Sequence, residues 1–177
     1  MLMNSYQKAV LELLRQTGPL PYGDVRRILH HIFLARGRRP KNSAPMIQQL
    51  LDTGKVFLLD DHFLALERTQ APDRFMLDAV EVMLQIAPER IVDFSASQHP
   101  FLLAFSRPKD DMEHRYGILR LTEREFLPPP HVLRQIETAV LLSDRLEHRA
   151  IPEGYPEIIY AVRQGDGWKF YKEESLS

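Results

Sequence analysis

The apolar side chains of residues 1–54 recur at helical spacing in three blocks, and this periodicity constrains the fold more than any other feature of the chain. The first block covers residues 4–17. The second block starts at Asp24, and the third starts near Asn42 and Ser43, which are both good N-cap residues. A glycine follows each block, and so we predict three short helices that end at these glycines.

The periodicity then changes to that of strands. Residues 56–59 and 63–66 are short apolar runs on either side of Asp60, Asp61 and His62, which predicts a β-hairpin. Three helices followed by a hairpin within residues 1–66 resemble a winged helix-turn-helix domain in element order, spacing and caps. The resemblance implies that the third helix lies in the major groove of DNA, while the turn before it and the hairpin, or wing, touch phosphates.

A polar stretch with one proline at residues 67–72 predicts a domain boundary before a second module, residues 73–177. In that module we predict a helix at 73–87, strands at 90–97, 100–107 and 114–121, a long helix at 131–148, and strands at 157–163 and 167–172. The chain is therefore predicted to be an α+β protein whose second module has the order α-β-β-β-α-β-β.

The first six elements of the second module match the core order of restriction-endonuclease-like folds. A winged helix joined to such a module resembles the replication-relaxation type of plasmid and mobile-element proteins. An active nuclease of that type needs a carboxylate on the second strand and an acid-x-lysine set on the third, so that Mg²⁺ and a water meet the phosphate. Residues 101–106 contain no acid, and residues 116–121 contain neither acid nor lysine. We therefore predict a non-catalytic module, in which Asp93 and Glu113 are the acids that a degenerate metal-dependent nuclease could recruit instead.

The two parts of the chain differ in charge. Residues 1–66 contain nine Lys or Arg and five Asp or Glu, a net charge of +4. Residues 67–177 contain fourteen and nineteen, a net charge of −5. This asymmetry indicates that only the N-terminal part meets a polyanion.

The stretch before and within the third predicted helix carries the residues expected to contact DNA. Predicted phosphate contacts are Arg36, Arg38, Arg39 and Lys41, predicted base contacts are Asn42, Ser43, Gln48 and Gln49, and Lys55 and His62 belong to the wing. Against this, Asp60 and Asp61 place two negative charges at the wing tip, and Asp52 adds another on the exposed helix face. We therefore expect that the wing does not enter a groove.

No other pattern predicts a site. The chain has no cysteine, which excludes a disulfide framework, a thiolate metal site and a cysteine nucleophile. Its seven histidines lack ligand spacing, and the adjacent His30 and His31 are predicted to be surface or flank residues. Trp168 and Phe170 share one face of a predicted strand and are interpreted as core residues. We expect no metal, no cofactor and no identifiable small-molecule ligand.

The sequence shows neither a recognisable signal peptide nor an apolar stretch long enough to span a membrane, and we expect a cytoplasmic protein. The leading hypothesis is a DNA-binding protein of regulatory or plasmid/mobile-element type that binds duplex DNA and is not an enzyme. Its second module would serve dimerisation or contact with a protein partner. The alternatives are a protein–protein interaction adaptor that binds no nucleic acid and a degenerate metal-dependent nuclease.

Overall fold

A computed structural model of the chain describes residues 2–39, 42–96, 98–121, 127–147 and 149–173. These residues form helices and two separate β-sheets, so the predicted α+β class is confirmed.

The N-terminal part contains three helices and a small sheet. Its elements are α1 (Ser5–Thr17), β1 (Leu20–Pro21), α2 (Tyr22–Ala35), α3 (Ala44–Asp52), β2 (Phe57–Leu59) and β3 (Phe63–Ala65). The three predicted helices and the hairpin are confirmed, but the two-residue strand β1 is not predicted by the sequence pattern. It pairs antiparallel with β3 through Leu20 and Leu64, which gives the sheet the order β1-β3-β2.

The first helix is fixed at its start by a reciprocal cap. The Asn4 side chain accepts a hydrogen bond from the Gln7 backbone, and the Gln7 side chain accepts one from the Asn4 backbone. This capping box satisfies two donors that a helix otherwise leaves open. The buried stripe of α1 then packs Val10 and Leu14 against α2 and α3, which places the start of α3 beside the start of α1.

The C-terminal part packs one helix on a six-stranded sheet. Its elements are α4 (Arg74–Ile86), β4 (Asp93–Ala96), β5 (Leu103–Lys109), β6 (Met112–Arg120), a 3₁₀ turn (Pro130–Leu133), β7 (Thr138–Ser143), β8 (Glu157–Gln164) and β9 (Gly167–Lys172). The strands follow chain order across the sheet, and only the β6–β7 and β7–β8 pairs are parallel.

The long helix predicted at residues 131–148 is wrong. The structure has a 3₁₀ turn there, followed by strand β7, and residue 148 lies outside the described residues. The strand lies between two parallel neighbours, and its residues 138–142 are all buried. A strand that is buried on both faces has a continuous apolar run instead of an alternating one, and such a run cannot be distinguished from a buried helix by periodicity.

One apolar core extends from the N-terminal helices through α4 to the face of the large sheet that α4 covers. Two backbone groups near β4 also bond to the N-terminal helices. Ala96 N–H donates to the Gln16 side chain over 3.0 Å, and Ile91 N–H donates to the His31 carbonyl over 3.3 Å. The N-terminal helices are therefore held directly against the first strand of the large sheet.

Candidate nucleic-acid interface

The end of α2 positions the arginines of the basic stretch. Gly37 adopts a left-handed backbone, with φ of 71°, and its N–H donates to Leu34 O over 3.0 Å. Arg38 N–H then reaches back to Phe33 O over 2.9 Å. This pair of bonds is the Schellman motif, for which glycine is the favoured residue. It leaves Arg36, Arg38 and Arg39 exposed at a helix C-terminus, where cations are favourable.

The start of α3 lies beside α2. Asn42 is exposed, and its side-chain oxygen accepts a hydrogen bond from Ala44 N–H over 3.3 Å. Ser43 is buried at 9% exposure, and its hydroxyl accepts a hydrogen bond from Arg26 Nε over 2.9 Å. Of the predicted contact residues, Lys41 lies outside the described residues.

Three α2 side chains that the sequence analysis did not select face the start of α3. Arg26, Arg27 and His30 line one pocket together with Asn42 and Ser43. The signal that could have found them is the i, i+4 spacing of Arg26 and His30 on the side of α2 away from its apolar stripe. Their convergence on α3 is a tertiary contact, and sequence spacing within one helix does not report it.

A second pocket lies between the basic turn and the start of α1. Arg38 and Arg39 line it with Asn4, Ser5 and Tyr6, and Tyr6 also borders the first pocket. Among the described residues, neither pocket has an acidic side chain in its lining. The start of α1 borders this second pocket, and the start of α3 borders the first. Helix N-termini attract anions.

The exposed part of α3 is partly occupied by internal hydrogen bonds. The Gln48 amide donates to Asp52 over 2.9 Å, and the Gln49 side-chain oxygen accepts a bond of 2.8 Å from Gln7. Both glutamines are exposed. Each retains the other half of its amide for a contact outside the chain.

The wing carries its negative charge away from the basic turn. Asp60 and Asp61 are exposed and have left-handed backbones, with φ of 50° and 54°. The carbonyl of His62 accepts a hydrogen bond of 3.0 Å from Tyr22 N–H at the start of α2. The length of α2 puts this end about 20 Å from Arg36, more than two screening lengths at physiological salt. Lys55 is exposed after α3, and the His62 ring packs edge-on against Phe63.

The prediction that both adjacent histidines are surface or flank residues is wrong for His31, which is buried. His30 is exposed, whereas His31 is 6% exposed, and its Nδ1 has no hydrogen-bond partner. Burial lowers the pKa of His31, and the nearby charges of Arg27 and His30 lower it further. An adjacent pair on a helix points in two directions about 100° apart, and one of these directions faces the core.

The second module has a buried aspartate that pairs with two arginines, and its described residues form no metal-binding cluster. Asp93 is exposed at the start of β4, 3.8 Å from Arg115, and Glu113 is exposed opposite Pro108. Within the described residues, no group of three or more His, Cys, Asp or Glu side chains could hold a metal ion. Asp78 of α4 is 4% exposed and pairs with Arg120 and Arg163 from the sheet.

The aromatic side chains of β9 divide between core and surface. Trp168 is 8% exposed and donates a hydrogen bond of 3.0 Å to Glu81, as expected for a core residue. Phe170 is 37% exposed, so the interpretation of Phe170 as a core residue is wrong. Strand β9 lies at the edge of the sheet, where only one neighbour covers its side chains.

The chain matches no protein-family model, and no curated protein or solved structure shows significant similarity to it. None of the described helices is long and apolar enough to cross a membrane.

Proposed function

We propose that the chain is a DNA-binding protein of regulatory or plasmid/mobile-element type, in which residues 1–66 form a winged helix that binds duplex DNA. The order α1-β1-α2-α3-β2-β3, with a sheet of order β1-β3-β2, supports the winged-helix assignment. Strand β1 adds to this support because it joins the wing to the segment between the first two helices.

The observation that carries the proposal is the gathering of cationic side chains around the start of α3. Arg26, Arg27 and His30 lie on one side, and Arg38 and Arg39 lie on the other. Phosphate contacts from such residues fix a protein on the duplex, whereas side chains near the start of the helix read base edges.

The structure refines the proposed roles of single residues. Asn42, Gln48 and Gln49 are exposed and remain the proposed base contacts. Because Ser43 is buried and bonded to Arg26, we assign it to positioning that arginine instead of to base contact. Lys55 and His62 are exposed at the wing, whose acidic tip we propose to stay outside the groove.

We propose a non-catalytic role for the second module. Its three antiparallel strands followed by a parallel crossover from β6 to β7 support a restriction-endonuclease-like origin, although the described part of the crossover contains a 3₁₀ turn instead of the expected helix. The edge strand β9 presents unpaired backbone groups and the partly exposed Phe170, which suits pairing with a second copy or a protein partner.

The test compares duplex binding by the Arg38→Ala/Arg39→Ala variant with binding by the wild type, measured by fluorescence anisotropy at about 50 mM salt, where phosphate contacts are strongest. We expect the double variant to bind at least about tenfold more weakly, because it loses two charge-assisted contacts. Arg90→Ala/Arg134→Ala is the matched control, since both of these residues are exposed and the charge change is the same. An equal loss of duplex affinity in the two double variants would show that only the net charge matters. No duplex binding by the wild type would refute the proposal.

An adaptor that contacts only protein is the second candidate, and the exposed acids of the wing tip favour it. A partner captured by the intact chain after nuclease treatment, together with no duplex binding at low salt, would support this candidate over the first.

A further inference from the structure

The first pocket, between α2 and the start of α3, is bordered by the buried side chain of Tyr6. Tyr6 is only 3% exposed, and its hydroxyl oxygen is buried without a hydrogen bond of normal geometry. Burial raises the pKa of this hydroxyl, whereas the neighbouring Ser43 and Arg26 lower it. A buried hydroxyl without a partner is costly, and native proteins usually supply a partner or reserve the group for a ligand.

The pocket that Tyr6 borders is lined by donors and cations. Arg26 donates through Nε to Ser43, which leaves the two terminal nitrogens of its guanidinium to donate elsewhere. Arg27 and His30 complete the α2 side of the pocket, and Gly23 adds no side chain to it. The hydrogen bond to Ser43 fixes the orientation of the planar Arg26 guanidinium, and a guanidinium held in this way is well suited to bind the oxygens of a phosphoryl group.

The remaining wall is the start of α3. This helix has nine residues, and its N-cap residue, Ser43, has a helical backbone and makes no capping hydrogen bond from its side chain, whose hydroxyl accepts from Arg26. The Ala44 N–H donates to the Asn42 side chain. The partial positive charge of the helix N-terminus adds to the charges of the two arginines. No acidic side chain from the described residues lines the pocket.

We infer that this pocket, between α2 and the N-terminus of α3, is a binding site for a single phosphoryl group, held by Arg26, Arg27 and His30 with donors from Tyr6 and Ser43. The pocket opens to solvent and has a volume of about 470 Å³. The phosphoryl group can therefore remain attached to a larger molecule. If the proposed function holds, the group is a backbone phosphate of the duplex. The same chemistry would also accept a free phosphate monoester.

The experiment titrates the full chain with inorganic phosphate at constant ionic strength and follows backbone amide shifts by NMR. We expect saturable shifts centred on Ser43 and Ala44, with chloride at the same ionic strength giving none. Arg26→Gln should weaken phosphate binding at least about tenfold, because it removes a charge-assisted donor. Tyr6→Phe should weaken it about threefold while leaving the thermal midpoint equal or higher, because the hydroxyl it removes makes no hydrogen bond of normal geometry in the free protein.

Arg90→Gln is the control, because this exposed arginine lies outside the pocket. Duplex binding is measured in parallel with the same variants. Phosphate binding at the pocket together with a matching loss of duplex binding supports the inference with DNA as the source. Phosphate binding at the pocket without any duplex binding supports the inference for a free phosphate monoester and refutes the proposed function.

Two results overturn the inference. The first is the absence of saturable shifts near Ser43. The second is a phosphate affinity that Arg26→Gln and Tyr6→Phe leave at the level of Arg90→Gln. If phosphate binds at the pocket but duplex binding is normal in both pocket variants, the inference holds for a free phosphate monoester, and the proposed function stands without the pocket.

Discussion

Side-chain hydrogen bonds of single polar residues join the N-terminal helices to one another. Arg26 and Ser43 are joined by a side-chain bond, and Gln7 connects α1 to α3 through Met46 O and Gln49. Each of these bonds satisfies a polar group close to the core while orienting the start of α3. His31 is different, because its Nδ1 is buried without a partner.

The burial of His31 predicts a pH dependence of stability. Its pKa in the folded chain is lowered from the usual value of 6.5, so the unfolded chain binds a proton more readily than the folded chain. The contribution of His31 is therefore fully present above about pH 6.5 and is lost as the pH falls below it, with a slope of at most about 1.4 kcal/mol per pH unit. The lowered pKa of His114 acts in the same direction.

We expect His31→Gln to reduce the loss of unfolding free energy between about pH 7.5 and pH 5.5, as measured by urea denaturation. His131→Gln is the matched control for the loss of an exposed histidine, because His131 is not among the charges that lower the pKa of His31. The assignment fails if both variants keep the wild-type slope.

At the scale of elements, turns and helix ends depend on residues that tolerate a left-handed backbone. Gly37 and Gly54 end α2 and α3 in this conformation. In the β5–β6 hairpin the same conformation is imposed on two aspartates, because Lys109 pairs with Met112 and leaves a two-residue turn. Asp110 and Asp111 have φ of 51° and 63°, the pattern of a type I′ turn, for which Asn-Gly is the favoured pair.

Substitutions at Asp111 should separate backbone preference from charge. Asp111→Gly should raise the free energy of unfolding by about 1 kcal/mol, because glycine adopts positive φ without a steric cost. Asp111→Ala removes the same charge but should lower the stability, because alanine resists this conformation. Thermal or urea unfolding of the two variants provides the measurement, and equal effects would show that charge alone matters at this turn.

The elements that could be predicted are those whose signals are local. The glycine after each helix and the apolar runs of the hairpin predict α1, α2, α3, β2 and β3, and the structure confirms all five. The sequence pattern does not predict strand β1, because two residues carry no periodicity, and it predicts a helix at β7, because the apolar run of this strand is continuous. Both of these strands are defined by their neighbours in a sheet, which sequence spacing within the element does not report.

The candidate site divides in the same way. The exposed positions of Arg36, Arg38 and Arg39 follow from the helix end at Gly37, which the sequence marks. The burial of Ser43 and the pocket with Arg26, Arg27 and His30 depend on how α2 packs beside α3. The sequence therefore predicts the basic turn, but it does not predict which side chains surround the start of α3.

At the scale of the whole molecule, the net charge divides between the two parts of the chain, whereas the apolar core continues through both. The N-terminal 66 residues carry a net charge of +4 and the remainder carries −5. The apolar core nevertheless continues from the N-terminal helices into the large sheet. The basic surface around α3 is thus joined to the second module through α1 and α2. Long-range attraction to a polyanion should orient the molecule with its N-terminal part forward.

The central claim is that this surface binds duplex DNA through its phosphates. The most direct measurement is the affinity of the wild-type chain for a duplex of random sequence as salt is raised from about 50 to 200 mM. Five arginines, Arg26, Arg27, Arg36, Arg38 and Arg39, predict that log K falls with log salt at a slope of about −4.5. The absence of binding at the lowest salt, or an affinity that does not change with salt, would contradict the account.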